Sequence, residues 1–380
     1  MTLRGADHEL VRGAIESDDP LPGTTGFAGV VDDRLVRDVL GRVPLFVERD
    51  ASDLTADTAW AYDPGSLDEP TLFPAGSIAR AGEDEPTQQW LLPDPDPDSD
   101  SDSGPEPPAD RDAPLDRLAA AIETAASDCQ LGRSDGEIAV AFSGGVDSAL
   151  VAELLDAPLY VVGFPDSHDV EAARTAAAAM GRELTVVELE PADLERAVPE
   201  VVDAIGRTNA MDVQIALPLY LVGQRVAADG FDALALGQGA DELFGGYEKV
   251  VRLDHRVEAE TVRGAVREQI AGLPEQLPRD ILTIEATGLD PVTPLLHDAV
   301  VDAALQLPDE LLADEETRKR GLRQVAADYL PAEITDRDKK AVQYGSLVAR
   351  ELDRLARQAG YKRRMDDHVG KYIESLTIDE

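Results

Sequence analysis

Cysteine is nearly absent from this chain of 380 residues. Cys129 stands alone, so no intramolecular disulfide can form, and the composition suits a reducing, cytoplasmic setting. Basic residues are scarce as well: Lys+Arg number 35 against 76 Asp+Glu, a net charge of −41. That balance argues against nucleic acid or an anionic membrane as a main partner, since either needs a basic surface. No apolar run approaches the length that spans a bilayer, and no signal sequence opens the chain. The pattern G-x-x-x-x-G-K-[ST] is missing too, which excludes the common NTPase phosphate loop. The acids are spread over the whole length rather than gathered in a tail, a distribution suited to high salt, where self-repulsion is screened.

What is present is a different phosphate-binding device. The apolar run Glu137 to Phe142 feeds Ser143-Gly144-Gly145-Val146-Asp147-Ser148, and a helix is expected from about residue 146. Two glycines let main-chain N–H groups face an anion, the helix N-terminus adds positive potential, and Ser143 and Ser148 add hydroxyl donors. Asp147 would repel phosphates unless a divalent cation lies between them. A second strand, Ala233 to Leu236, runs into Gly237-Gln238-Gly239-Ala240-Asp241-Glu242-Leu243-Phe244-Gly245-Gly246-Tyr247. Asp147 and Asp241, each just past a strand, can bridge one Mg²⁺ against a triphosphate, because open α/β sheets bind ligands at that edge.

Residues 93–112 are rich in Pro, Asp and Ser without apolar periodicity, and read as an extended linker. It separates residues 1–92, with turn signals and short apolar segments, from residues 113–380, where strand and helix alternate. Strands are expected at 137–142, 158–164, 183–189 and 233–236. Helices are expected at 115–129, 146–156, 169–180, 192–205 and 213–228, which together argue a doubly wound parallel sheet. Beyond residue 248 the pattern is helical, interrupted by Pro274, Pro278, Pro291 and Pro294, as for a C-terminal helical part closing over the sheet edge.

Taken together, SGGVDS and GQGADELFGGY closely resemble the asparagine synthetase family, within the ATP-pyrophosphatase (PP-loop) fold. The pair at this separation is specific; SGGxDS alone also fits NAD synthetase, GMP synthetase or tRNA-thiolation enzymes. The resemblance implies an α/β fold: a doubly wound parallel sheet, adenine nucleotide alpha hydrolase-like, with C-terminal helices. It also implies ATP and Mg²⁺ as cofactors, with Ser143, Gly144, Gly145, Asp147 and Ser148 matching the pyrophosphate-binding motif and Asp147 and Asp241 the metal positions. The stretch Val161 to Asp169 matches the V-G-x-x-x-S-x-D segment, whose strand end contacts adenine and ribose. This brings in Gly163 and Asp169, although Asp169 serves equally as a helix N-cap. Gly237 and Gly239 flank the second turn, while Ala216-Leu217-Pro218-Leu219-Tyr220 resembles the T-P-x-Y segment, with apolar positions read as core. Near the C-terminus, Tyr329-Leu330-Pro331 and the stretch from Arg337 to Gly345 match Y-L-P … R-x-K, placing Lys339 at the adenylation centre, with Lys340 the fallback.

The segments Arg37-Asp38-Val39-Leu40-Gly41-Arg42-Val43-Pro44-Leu45 and Phe73-Pro74-Ala75-Gly76 resemble parts of the N-terminal-nucleophile (Ntn) glutaminase domain that precedes the synthetase domain in this family. Residues 1–92 therefore read as a small, β-rich, truncated Ntn-like domain. Its cysteine nucleophile is absent, because residue 2 is Thr2 and the sequence around Thr2 does not match a threonine nucleophile. Two further departures concern the synthetase part. Gln238 stands where the family has glutamate, removing a charge while keeping shape. Asp290 to His297 replaces E-A-R-V-P-F-L-D, leaving Val292 for the arginine and His297 for the closing aspartate.

The leading reading is an ATP-dependent amide-forming ligase, with Lys339, Gln238 and Asp241 at its centre. It would activate a small carboxylate, aspartate or an analogue, as an acyl-adenylate and join it to ammonia, either free or from a separate glutaminase chain; a homodimer is a candidate assembly. The second reading is a ligase of the same fold acting on another carboxylate or amine, as β-lactam synthetases do, and Gln238 and His297 lean that way. The third is a non-catalytic nucleotide-binding regulatory protein, against which the intact SGGVDS speaks.

Overall fold

The strands of the main sheet come from runs that are apolar on both faces. Every residue of Ile138–Ala141 and Ala233–Ala235 is buried, as are the first four of Leu159–Gly163. That is the pattern of parallel strands covered by helices on each side. The computed structural model describes residues 3–93, 113–131, 137–165, 167–252, 256–314, 317–337 and 346–377. Its main sheet has five parallel strands in the order Leu184–Glu188, Leu159–Gly163, Ile138–Ala141, Ala233–Ala235, Asp290–Val292. The strand that comes first in sequence is central, and the chain winds outward from it in both directions. Because parallel crossovers are right-handed, this order places helices on both faces and a topological switch beside the central strand.

The helices meet the expected positions within a few residues: Ala113–Gln130, Val146–Leu155, His168–Ala179, Pro191–Ile205 and Ala210–Ala228. Two details beyond residue 248 differ from the expectation. Pro278 lies inside the helix Leu273–Glu285 instead of breaking it, and Pro274 occupies its first turn, where a missing N–H leaves no bond unmade. Asp290–Val292 is a strand, pairing Leu234 with Pro291. Proline is tolerated on a strand at the end of the sheet order, and three residues are too few for a period to register.

By packing, the chain divides into two units: Met1–Leu131 with Gly237–Pro278 and Thr293–Leu330, and Gly132–Leu236 with Arg279–Val292 and Pro331–Glu380. The second unit holds the parallel sheet. Its last helices, Ser346–Gln358 and His368–Thr377, lie on the 191–205 and 210–228 helices, where the Tyr372 hydroxyl donates to Glu195.

The first unit contains the antiparallel β region. One sheet runs Leu3–Arg4, Ala28–Val31, Arg34–Arg37, Ser77–Arg80, Thr87–Gln88, and a smaller one runs Trp60–Ala61, Phe46–Glu48, Pro70–Leu72. Ala28, Leu35, Leu45, Val47, Leu54, Phe73 and Ala79 form its core. The same unit takes in the helix Ala113–Gln130, which packs on Asp298–Leu305 and Arg320–Ala326. Its division from the second unit therefore does not fall at the Pro/Asp/Ser-rich run, residues 94–112 of which lie outside the described residues.

The R-D-x-x-G-x-x-P-L segment has a structural explanation. The Arg37 guanidinium is fully buried and donates to the carbonyls of Val43 (3.0 Å), Phe73 (2.7 Å) and Gly41 (2.7 Å). Burial lowers its pKa to about 10, and it stays charged because three carbonyl dipoles replace water. Asp38, equally buried, accepts from the main-chain N–H groups of Phe27, Leu40 and Arg42. Together these two side chains shape the turn from residue 38 to residue 45. Among the described residues no helix is long and apolar enough to cross a membrane.

Candidate active site

The Ser143–Ser148 loop leaves the central strand at Phe142, which is fully buried. Gly144 has φ +73, and a Cβ there would lie 2.8 Å from the carbonyl oxygen of Ala172 and 2.9 Å from the Cα of Ala173. Only glycine allows both the left-handed turn and this approach to the 168–179 helix. Gly145 precedes the ten-residue helix Val146–Leu155 as its N-cap, with no side chain capping the end. Ser148 is buried and ties the loop: its Oγ accepts from Ser143 N–H at 3.2 Å and donates to the Gly145 carbonyl at 3.3 Å. Ser143 is exposed, its Oγ 3.3 Å from that of Ser148. Asp147 sits half-buried in the first turn of the helix. Helix N-terminus, exposed hydroxyl and glycine turn together make an anion cradle with a carboxylate beside it.

A second feature of this unit is an open pocket of about 340 Å³ counted out to its mouth. Val162, Gly163, Phe164, Ser167, Asp169 and Pro218 contribute to its wall. Gly163 ends its strand, and a Cβ there would meet Val170 at 2.8 Å and Ser167 at 3.0 Å. The capping role open to Asp169 belongs instead to Ser167, whose Oγ accepts from Val170 N–H. Asp169 is one residue inside the helix and faces the pocket, where burial raises its pKa above the usual carboxylate value. Pro218 also reaches the wall, while Ala216, Leu217 and Leu219 are core.

The Gly237–Tyr247 motif belongs to the first unit. Gly239 has φ +88, and a Cβ there would lie 2.3 Å from Leu296 Cδ2, so the turn presses directly on that side chain. Gln238 is half-buried between the two glycines. Asp241 follows in the short helix Ala240–Leu243, its Oδ1 2.6 Å from the ammonium of Lys319. Lys319 is buried, with a left-handed backbone at φ 56. Sequence reading passed over Lys319, which stands between Arg318 and Arg320 in an acid-rich chain but in no motif that would single it out. Glu242 is buried and accepts from the Tyr247 hydroxyl at 2.5 Å; burial raises its pKa. It braces the turn from inside. Lys339 and Lys340 lie outside the described residues.

Among the described residues no three His, Cys, Asp or Glu side chains converge as a metal cluster. A cation here would be held by one or two carboxylates together with polyphosphate oxygens, which suits Mg²⁺ and not a dedicated protein cage. Asp147, beside the glycine cradle, fits that donor set.

The family model described as asparagine synthase matches residues 117–283 and 271–369, together well over half of the chain. The chain belongs to the asparagine synthase family. A protein of Methanocaldococcus jannaschii named as a candidate glutamine-hydrolyzing asparagine synthetase is 29% identical over 277 residues, covering 63% of this chain and 51% of its own length. Asparagine synthetase B (glutamine-hydrolyzing) of Escherichia coli is 24% identical over 233 residues, covering 56% of this chain and 42% of its own. The chain thus spans about half the length of the curated relatives it matches. Among solved structures, the NMN synthetase of Francisella tularensis overlaps at 12% identity and a TM-score of 0.32, covering 70% of this chain and 92% of its own.

His297 occupies the position where the family's closing aspartate was expected. Its Nδ1 accepts from Ala299 N–H, capping the helix Asp298–Leu305, and its Nε2 lies 3.2 Å from Asp128. Burial lowers the imidazole pKa, with the carboxylates of Asp298 and Asp128 pulling the other way. The unfolded chain takes up this proton near the ordinary histidine value of about 6.5, where the folded chain resists it. Stability from His297 is thus present above about pH 6.5 and lost as pH falls below it. His297→Asn keeps a capping acceptor, an amide oxygen in place of Nδ1, and removes the titration. Thermal melts at pH 7.5 and pH 5.5 should show wild type losing more than His297→Asn; equal losses would contradict this account.

Proposed function

We propose that this chain is an ATP-dependent amide-forming ligase that releases AMP and pyrophosphate. The observation that carries the reading is the Ser143–Ser148 cradle: a Gly-Gly turn capping a helix at the end of the central strand, with Asp147 in the first turn. Such a loop suits the β- and γ-phosphates as a leaving group, and the pocket at Gly163 and Asp169 suits the adenosine. A carboxylate oxygen would attack the α-phosphorus, breaking its bond to the bridging oxygen and releasing pyrophosphate. Ammonia would then attack the acyl carbon and expel AMP, shedding a proton to solvent. Asp147 would hold Mg²⁺, which would supply charge neutralisation of the departing pyrophosphate; Asp241 is proposed as a metal ligand from its motif match alone. Lys339 is proposed at the adenylation centre from its motif register alone. Asp147→Ala and Asp241→Ala should each abolish ATP–pyrophosphate exchange while leaving the circular dichroism and melt cooperative. Exchange at the wild-type rate in either variant would remove that carboxylate from the metal site.

The carboxylate is aspartate or an analogue, and a second reading within the same chemistry rests on Gln238 and His297. An amide in place of a carboxylate changes the turn by one charge, worth roughly several kcal/mol in a water-excluded site. His297 is engaged in helix capping, which leaves it poorly suited to an aspartate's positioning role. With no cysteine in residues 1–92, the purified chain is expected to use ammonium and not glutamine. Asparagine formation from aspartate should be slow or absent, and Gln238→Glu should improve it. Efficient asparagine formation by the wild type, lost on Gln238→Glu, would mean the turn is built around a neutral group and that aspartate is the substrate.

A further inference from the structure

Residues 1–92 carry no cysteine nucleophile, yet a buried, multiply bonded charge lies there. Arg42 is buried between two buried carboxylates: its Nε donates to Asp38 Oδ1 at 2.8 Å, and its Nη1 lies 2.6 Å from Asp298 Oδ1. The same Nη1 donates to the main-chain carbonyl of Leu296 at 2.7 Å. Asp298 in turn accepts from the N–H groups of Gly23 (3.0 Å) and Thr24 (2.7 Å), and its own N–H donates to the Thr24 carbonyl at 2.8 Å. The segment 293–298 is therefore bolted to the β region through ionic and main-chain bonds that are buried at Arg42, Thr24 and Asp298 and part-buried at Gly23. Leu296, with no exposed surface, packs its side chain on Gly239 so closely that a Cβ there would overlap it.

We propose that the Arg42–Asp38–Asp298 cluster, and not the packing of the β core, supports the Gly237–Tyr247 motif, with Arg42 the positioning residue and Leu296 the link. The functional weight of the turn rests on the ligase reading above; the mechanical coupling does not. A buried ion pair gives little net stability over an apolar replacement, so its use here is to fix one geometry. The guanidinium fork reaches both Asp38 and the Leu296 carbonyl in one plane, and a lysine cannot span both. The turn's order is legible in three amides: Leu243, Phe244 and Gly246 donate to the carbonyls of Gly239, Ala240 and Asp241.

Hydrogen exchange on the full chain tests this, with Arg42→Lys, Leu296→Ala and, as a control, Leu35→Ala, which loosens the β core without touching the coupling. Arg42→Lys and Leu296→Ala should each speed exchange at Leu243, Phe244 and Gly246 by about ten-fold, a local opening. Leu35→Ala should leave those amides unchanged while the 28–31 and 34–37 strands open. If Arg42→Lys fails to fold, Leu296→Ala still tests the last link, because Arg42 bonds the main chain of residue 296 and not its side chain. Unchanged protection at the three amides in Leu296→Ala, or equal loosening by Leu35→Ala, would overturn the proposal. ATP–pyrophosphate exchange with L-aspartate and a pool of other carboxylates, run on the same proteins, separates the two claims. Loosened amides with no exchange in wild type would sink the ligase reading and leave the coupling standing.

Discussion

The strand Ile138–Ala141 is buried on both faces and paired along both edges, with Leu159–Gly163 on one side and Ala233–Ala235 on the other. A strand so enclosed has nowhere to continue except out of its carboxyl end, and there it must reverse into a helix through a loop that lies against the 168–179 helix. Gly144 satisfies that geometry, because a side chain would collide with Ala172 and Ala173. The anion cradle is thus a consequence of the sheet's order as much as of the loop's own residues. The helix that follows lends its N-terminus, and Ser148 closes the loop from inside.

The first unit sets buried charges beside its apolar core. Arg37 shapes its turn through three carbonyls, and Arg42 joins Asp38 to Asp298. Both arginines come from a motif that resembles part of a glutaminase domain, yet every bond they make serves packing. Lys319 extends the same logic to Asp241, placing a compact cation against a carboxylate in a chain of strong negative charge.

Most of the second unit was legible in the sequence because its signals are long or chemically narrow. Apolar strands running into Ser/Gly turns, and helices of ten or more residues, left periods and punctuation that the structure meets within a few positions. Asp290–Val292 was not legible, since three residues with a central proline imitate a break between helices. Pro278 misled for the opposite reason, because packing of a long amphipathic helix overrode a local breaker. In the candidate site, the glycine turn of Ser143 to Ser148 and the strand end at Gly163 were readable as local structure from motif alone. Asp169 needed coordinates to separate capping from pocket lining, and Lys319 acts through a partner more than seventy residues earlier in the chain, a pairing that no local pattern encodes.

The central claim is that a carboxylate oxygen ends up on AMP. Wild-type protein supplied with ATP, Mg²⁺, ammonium and a pool of ¹⁸O-labelled carboxylates, aspartate among them, can be followed by mass spectrometry of the nucleotide products. The account predicts AMP and pyrophosphate, with one ¹⁸O in each AMP and the matching amide in the pool. ADP as the product, or AMP without the label, would contradict it.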